Sequence, residues 1–182
     1  MIWLVIGSNG SGKSVLAENL VHKIQSQEGQ RGPLIYLATL VPADEDGHDR
    51  VTKHRRQRAG HGFLTIESPL AELPTLPVLA RNSNVQQDGE VLAHIILVED
   101  VSNIVANFTF AEHHPDPVSA TLERIQDLRN RGTHLVVVTI GGLSPTSSFD
   151  ESTNAYVNSL NEVNRRLRSL ADHVIETKEA VT

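Results

Sequence analysis

The residues Gly7-Ser8-Asn9-Gly10-Ser11-Gly12-Lys13-Ser14 carry the most specific chemical signal in the chain. Glycines at this spacing let main-chain N–H groups turn inward onto an anion, and Gly-x-x-x-x-Gly-Lys-Ser is the pattern of a phosphate-cradling loop. In such a loop Lys13 reaches the β- and γ-phosphates and Ser14 holds Mg²⁺. The helix that follows points its positive end at the same anion. An ordinary glycine turn can match the pattern by chance. The context argues otherwise, because the apolar run Met1 to Ile6 precedes it. A stretch from Lys13 to Gln25 follows, with Val15, Leu16, Leu20, Val21 and Ile24 at helical spacing.

Two further groups of residues can act on a bound phosphate. Glu99-Asp100 closes the apolar run His94 to Val98, and an acid at the end of a neighbouring strand serves the metal or its water in phosphoryl transfer. Glu99 is the first candidate and Asp100 the second; a solvated acidic strand end is the plain alternative. Arg50, His54 and Arg58 stand four apart, so on a helix they share one face. Two arginines in that row can grip a triphosphate. The imidazole, with an ordinary pKa of about 6.5, can attack the α-phosphorus near neutral pH. A solvated charged helix with an incidental histidine has the same spacing.

These residues need a scaffold. Apolar runs at Met1–Ile6, Leu34–Leu40, His94–Val98 and Leu135–Ile140 read as buried strands, and Phe63–Glu67 and His173–Ile175 as short ones. Helices are expected over Lys13–Gln25, Arg50–Arg58, from Ser102 towards Phe110, over Asp116–Arg131 and over Glu151–Ala171. Pro69–Gly89 reads as a helical turn or two and then a surface loop. Strands alternating with helices predict an α/β protein, a three-layer P-loop NTPase fold with a mostly parallel central sheet. The 182 residues suit one domain, 1–182.

Composition removes several alternatives. The chain has no cysteine, which excludes disulfides, thiolate metal sites and cysteine nucleophiles. A net charge of −6 argues against bulk binding to nucleic acid or an anionic membrane. The cluster Arg50, Lys53, Arg55, Arg56 and Arg58 instead suits a small polyanion. No apolar stretch approaches the roughly 20 residues of a membrane span. Met1–Ile6 is too short for a secretory signal and reads as a strand, so a cytoplasmic location is expected.

Taken together, the chain resembles the bifunctional adenosylcobinamide kinase / adenosylcobinamide-phosphate guanylyltransferase family of cobalamin biosynthesis. The likeness rests on Gly7–Ser14 followed by Ala17-Glu18, and on Tyr36-Leu37-Ala38-Thr39. It continues through Val51-Thr52-Lys53-His54-Arg55-Arg56-Gln57-Arg58, Glu67-Ser68-Pro69 and Ile96-Leu97-Val98-Glu99-Asp100-Val101 with Asn103 and Asn107, and more weakly through Asn164-Arg165-Arg166-Leu167. The resemblance implies phosphorylation of adenosylcobinamide by ATP or GTP, then transfer of GMP from GTP to the product through GMP bound to a histidine. By the same likeness His54 and Lys13 are catalytic, and Mg²⁺ lies at Ser14 and Glu99. The nucleotide contacts implied are the loop residues Gly7, Ser8, Asn9, Gly10, Ser11, Gly12, Lys13 and Ser14, then Ala38, Thr39, Leu40, Arg55, Arg56, Gln57, Arg58, Glu67 and Glu99. The partners implied are a small corrinoid and a nucleotide, with no nucleic acid, in a homo-oligomer such as a trimer. The chain departs from the family at Thr139–Pro145, where an acid is missing, at Asn154–Asn158, and in its tail from Val174 to Thr182. Two other functions remain open: a P-loop kinase of another small hydroxyl compound, and a non-catalytic nucleotide-binding homologue.

Overall fold

Six strands form one sheet in the computed structural model, which describes residues 1–28, 33–42, 52, 60–73 and 95–177. They are β1 (Ile2–Gly7), β2 (Leu34–Ala38), β3 (Phe63–Glu67), β4 (Ile95–Glu99), β5 (His134–Ile140) and β6 (His173–Glu176). Their order is β3-β2-β4-β5-β1-β6, and every pairing is parallel. Parallel strands need crossovers that cover both faces of a sheet, so the inner strands are continuous apolar runs. β4 and β5 follow this rule: Ile95–Val98 and Leu135–Val138 are all buried. The edge strands β3 and β6 are short and largely half-buried or exposed.

Alternation along each strand sorts side chains into two cores. Val5, Tyr36, Leu97 and Val136 face helix α1 (Lys13–Glu28), packing on Ala17, Val21 and Ile24. Leu4, Ile35, Val98 and Val137 face the opposite layer of α2 (Val101–Ala106), α3 (Pro117–Arg131) and α4 (Glu151–Leu170), through Ile104, Ile125, Leu128, Leu160 and Leu167. This is the three-layer P-loop NTPase architecture expected from the alternating pattern.

Local signals set the helix ends. Asp100, Asp116 and Asp150 each accept from the backbone N–H three residues on, satisfying a donor that would otherwise be orphaned at a helix start. Asp116 is therefore a cap rather than the first helical residue, and Pro117 occupies the position where a missing N–H costs nothing. The helix expected from Ser102 begins at Val101 and passes into a π-helical turn, Asn107–Ala111. Apart from Thr52, which is helical, the helix expected over Arg50–Arg58 lies outside the described residues, as does most of the loop expected after Pro69.

Candidate functional site

In a parallel sheet every strand delivers its carboxyl end to the same edge, and ligands bind there. That edge gathers the loop after β1, the residues after β2, and the acids that end β3 and β4. Register sets their spacing: Ala38 pairs with Glu67 on one side and with Glu99 on the other.

The glycine loop runs from β1 into α1. Gly10 and Gly12 have φ of 75° and 79°, a conformation that side-chain-bearing residues rarely adopt. Lys13 is buried, with Nζ donating to Ser8 O at 2.7 Å. Its ammonium therefore curls over the loop that it belongs to. The next residue turns the other way, and Ser14 Oγ donates to Glu99 Oε1 at 2.5 Å. Strand β5 lies between β1 and β4, so this bond crosses one strand to join the loop to the acid.

The second oxygen of that carboxylate, Glu99 Oε2, is buried and has no hydrogen-bond partner. Burial and the neighbouring Asp100 push the Glu99 carboxyl above the usual carboxylate range, against the pull of Ser14 and Lys13. Burial likewise raises Asp100. A buried carboxylate oxygen without a partner, beside a serine hydroxyl at a phosphate loop, is suited to Mg²⁺. This ion takes one or two protein oxygens and completes its shell with water and phosphate. No cluster of three His, Asp or Glu residues exists among the described residues, so a cage built wholly of protein ligands is not present there.

Asp100 has a different setting. Its Oδ1 accepts from Ser102 Oγ and from Asn103 N, the latter at 3.0 Å, and so caps α2. The Glu99–Asp100 peptide is cis. Thr39 is fully buried, and its hydroxyl faces inward to Glu99 O and Asp100 O at 2.9 and 2.8 Å. Asn107 Nδ2 donates to Thr39 O at 3.0 Å and to Pro69 O at 2.8 Å. One amide thus ties together the chain leaving β2, the chain leaving β3 and the end of α2. Leu40 is half-buried and Glu67 exposed at the same edge. His54, Arg55, Arg56, Gln57 and Arg58 lie outside the described residues. The chain carrying them is described up to Pro42, then at Thr52, and again from Gly60. There His61 Nδ1 lies 3.0 Å from Glu18 Oε2 on α1.

Two residues at this edge were not singled out from sequence. Asn107 appears there only within a resemblance, and Thr177 not as a site residue at all. Thr177 follows β6 and touches the glycine loop, with Oγ1 2.6 Å from Ser11 Oγ. Nothing in the sequence near either residue signals these contacts, which span 68 and 166 positions.

A family model described as "Cobinamide kinase / cobinamide phosphate guanyltransferase" matches residues 3–179. No curated protein sequence matches the chain significantly. Among solved structures, one similar chain is a KaiC-like protein from Pyrococcus horikoshii. It is 13% identical with a TM-score of 0.44, covering 86% of this chain and 68% of that one. Another is the flagellar accessory protein FlaH from Methanocaldococcus jannaschii. It is 15% identical with a TM-score of 0.41, covering 96% of this chain and 70% of that one. No helix among the described residues is long and apolar enough to cross a membrane.

Proposed function

The chain belongs to the cobinamide kinase / cobinamide phosphate guanyltransferase family. From that premise we propose that it phosphorylates the aminopropanol hydroxyl of adenosylcobinamide and then attaches GMP to the resulting phosphate. In the first step the hydroxyl oxygen attacks the γ-phosphorus of ATP or GTP, and the nucleoside diphosphate leaves. In the second, an imidazole nitrogen of His54 attacks the α-phosphorus of GTP, pyrophosphate leaves, and GMP is held on the histidine. An oxygen of adenosylcobinamide phosphate then takes the guanylyl group, giving adenosyl-GDP-cobinamide and free His54.

The observation that carries this reading is the pairing of the glycine loop with a buried carboxylate through Ser14 and Glu99. Chemistry of this kind is positioning plus charge stabilisation, with little for side chains to do covalently. Lys13 is placed to move from Ser8 O onto phosphate oxygens, exchanging one acceptor for a charged one. Mg²⁺, held by Ser14 and Glu99, supplies charge neutralisation on the phosphates when bound. Ala38, Thr39, Leu40 and Glu67 border the nucleotide, and Arg55, Arg56, Gln57 and Arg58 bind its phosphates beside His54. In this reading residues 1–182 work as one domain within a homo-oligomer, a trimer, in the cytoplasm.

Incubation with α-labelled GTP tests the proposal. Acid-labile label should appear on the protein and vanish in His54→Asn, while γ-phosphoryl transfer to adenosylcobinamide should vanish in Lys13→Ala. Phosphoryl transfer with no protein label under any condition would leave a kinase alone. The altered run Thr139–Pro145, at the end of β5 and beyond it, favours that second reading.

A further inference from the structure

Thr177 emerges from β6 directly over the start of the glycine loop. Its N–H donates to Ile6 O at 2.9 Å, carrying the β1–β6 ladder one residue further. That bond sets where the side chain falls. The hydroxyl lies 2.6 Å from Ser11 Oγ, in the middle of the loop.

The seat for Thr177 exists because residue 7 has no side chain. A Cβ placed on Gly7 would come within 1.8 Å of Thr177 Oγ1 and 2.8 Å of Ser11 Oγ. Unlike Gly10 and Gly12, Gly7 is not among the positive-φ residues. Space, not backbone conformation, is what its bareness provides.

We propose that Thr177 is a positioning residue for the nucleotide's phosphates, acting through Ser11. In a pair of hydroxyls one proton is spent on the partner and the other remains to be donated. Ionised phosphate oxygens accept. The pair therefore offers the loop one O–H donor. Its orientation is held by a residue on the strand ladder instead of by solvent, and donors held ready in this way lose less on binding. The inference rests on the loop being the nucleotide site and adds to it a residue from the far end of the chain. Phosphates are common to ATP and GTP, so the contribution is independent of the base.

Thr177→Val keeps the shape and removes the hydroxyl; Thr177→Ser keeps the hydroxyl. Calorimetric titration with non-hydrolysable ATP and GTP analogues and Mg²⁺ reads the effect. Loss of one net hydrogen bond should weaken both analogues of Thr177→Val by about 3- to 10-fold. Thr177→Ser should bind within about twofold of the parent, since it restores that bond. Unchanged affinity in Thr177→Val overturns the inference, as does a loss confined to one base or a loss not rescued by serine. A lower melting temperature with unchanged affinity assigns Thr177 a structural part only, and overturns it too. Should Thr177→Val fail to fold, Thr177→Ala removes the same hydroxyl without the branched bulk and is read in the same way. If the parent binds neither analogue, the nucleotide-site reading itself fails and takes this inference with it.

Discussion

Replacing Glu99 by glutamine should make the nucleotide-free protein more stable at pH 8 while removing its Mg²⁺-dependent turnover. Burial and Asp100 hold the Glu99 carboxyl above its ordinary value. A group raised in this way binds more protons folded than unfolded. Its contribution is therefore fully present below the unfolded pKa of about 4.3 and is lost as pH rises through the folded value. Glutamine keeps an oxygen for the Ser14 hydroxyl but carries no charge to bury. Each pH unit within the window is worth about 1.4 kcal/mol per proton. With the folded carboxyl pushed up to about 8, the window predicts a gain of a few kcal/mol at pH 8, or on the order of 10 °C in melting temperature for a domain of this size. The gain should vanish near pH 4, where both proteins are neutral at this position. The assay is thermal unfolding of parent and Glu99→Gln from pH 4 to 8 in chelator, without nucleotide, with turnover measured in parallel. A Glu99→Gln melting temperature below that of the parent at pH 8, or a difference that does not change with pH, would refute the reasoning.

Other perturbations follow from single contacts. Asn107→Ala removes the side-chain donor of a part-buried bond to the Thr39 carbonyl and of an exposed one to the Pro69 carbonyl; unfolding in urea should show a loss of about 1–3 kcal/mol. Asn164 is buried on α4, accepts from Thr139 Oγ1 at 2.7 Å and donates to Ile140 O at 2.8 Å. Asn164→Ala should cost a similar ~1–3 kcal/mol by the same measurement, and should loosen the end of β5, read as faster amide exchange at Gly141. Gly7→Ala should displace Thr177, so nucleotide affinity should fall by at least the factor seen for Thr177→Val. Combining Gly7→Ala with Thr177→Gly should recover part of the folding loss.

The layered α/β fold was legible because the inner strands are unbroken apolar runs and the helices between them carry apolar residues at helical spacing. β3 and β6 were visible only as short candidates, since edge strands keep one flank in water and show weak patterns. The glycine loop was legible as a local motif. Its conformational demand falls on Gly10 and Gly12, while Gly7 answers to a residue at the other end of the chain. Side-chain partnerships such as Ser14 with Glu99, or Asn107 with two strand exits, depend on strand order. No window of sequence contains both partners. The π-helical turn at Asn107–Ala111 likewise escaped a reading based on helical period, which looks the same for either winding over five residues.

Strand order also bears on how the chain is made. β1 is translated before the other strands of the sheet, yet both its neighbours, β5 and β6, come more than a hundred residues later, with Ile2 against Leu135 and Trp3 against His173. Until those segments emerge, the strand that launches the glycine loop has no ladder to join. Such distant pairings are slow to form. Nucleotide is therefore expected to be captured only after β5 and β6 have been made, and a product stopped before residue 133 should bind none. The first strand of the sheet to be translated becomes among the last to be organised.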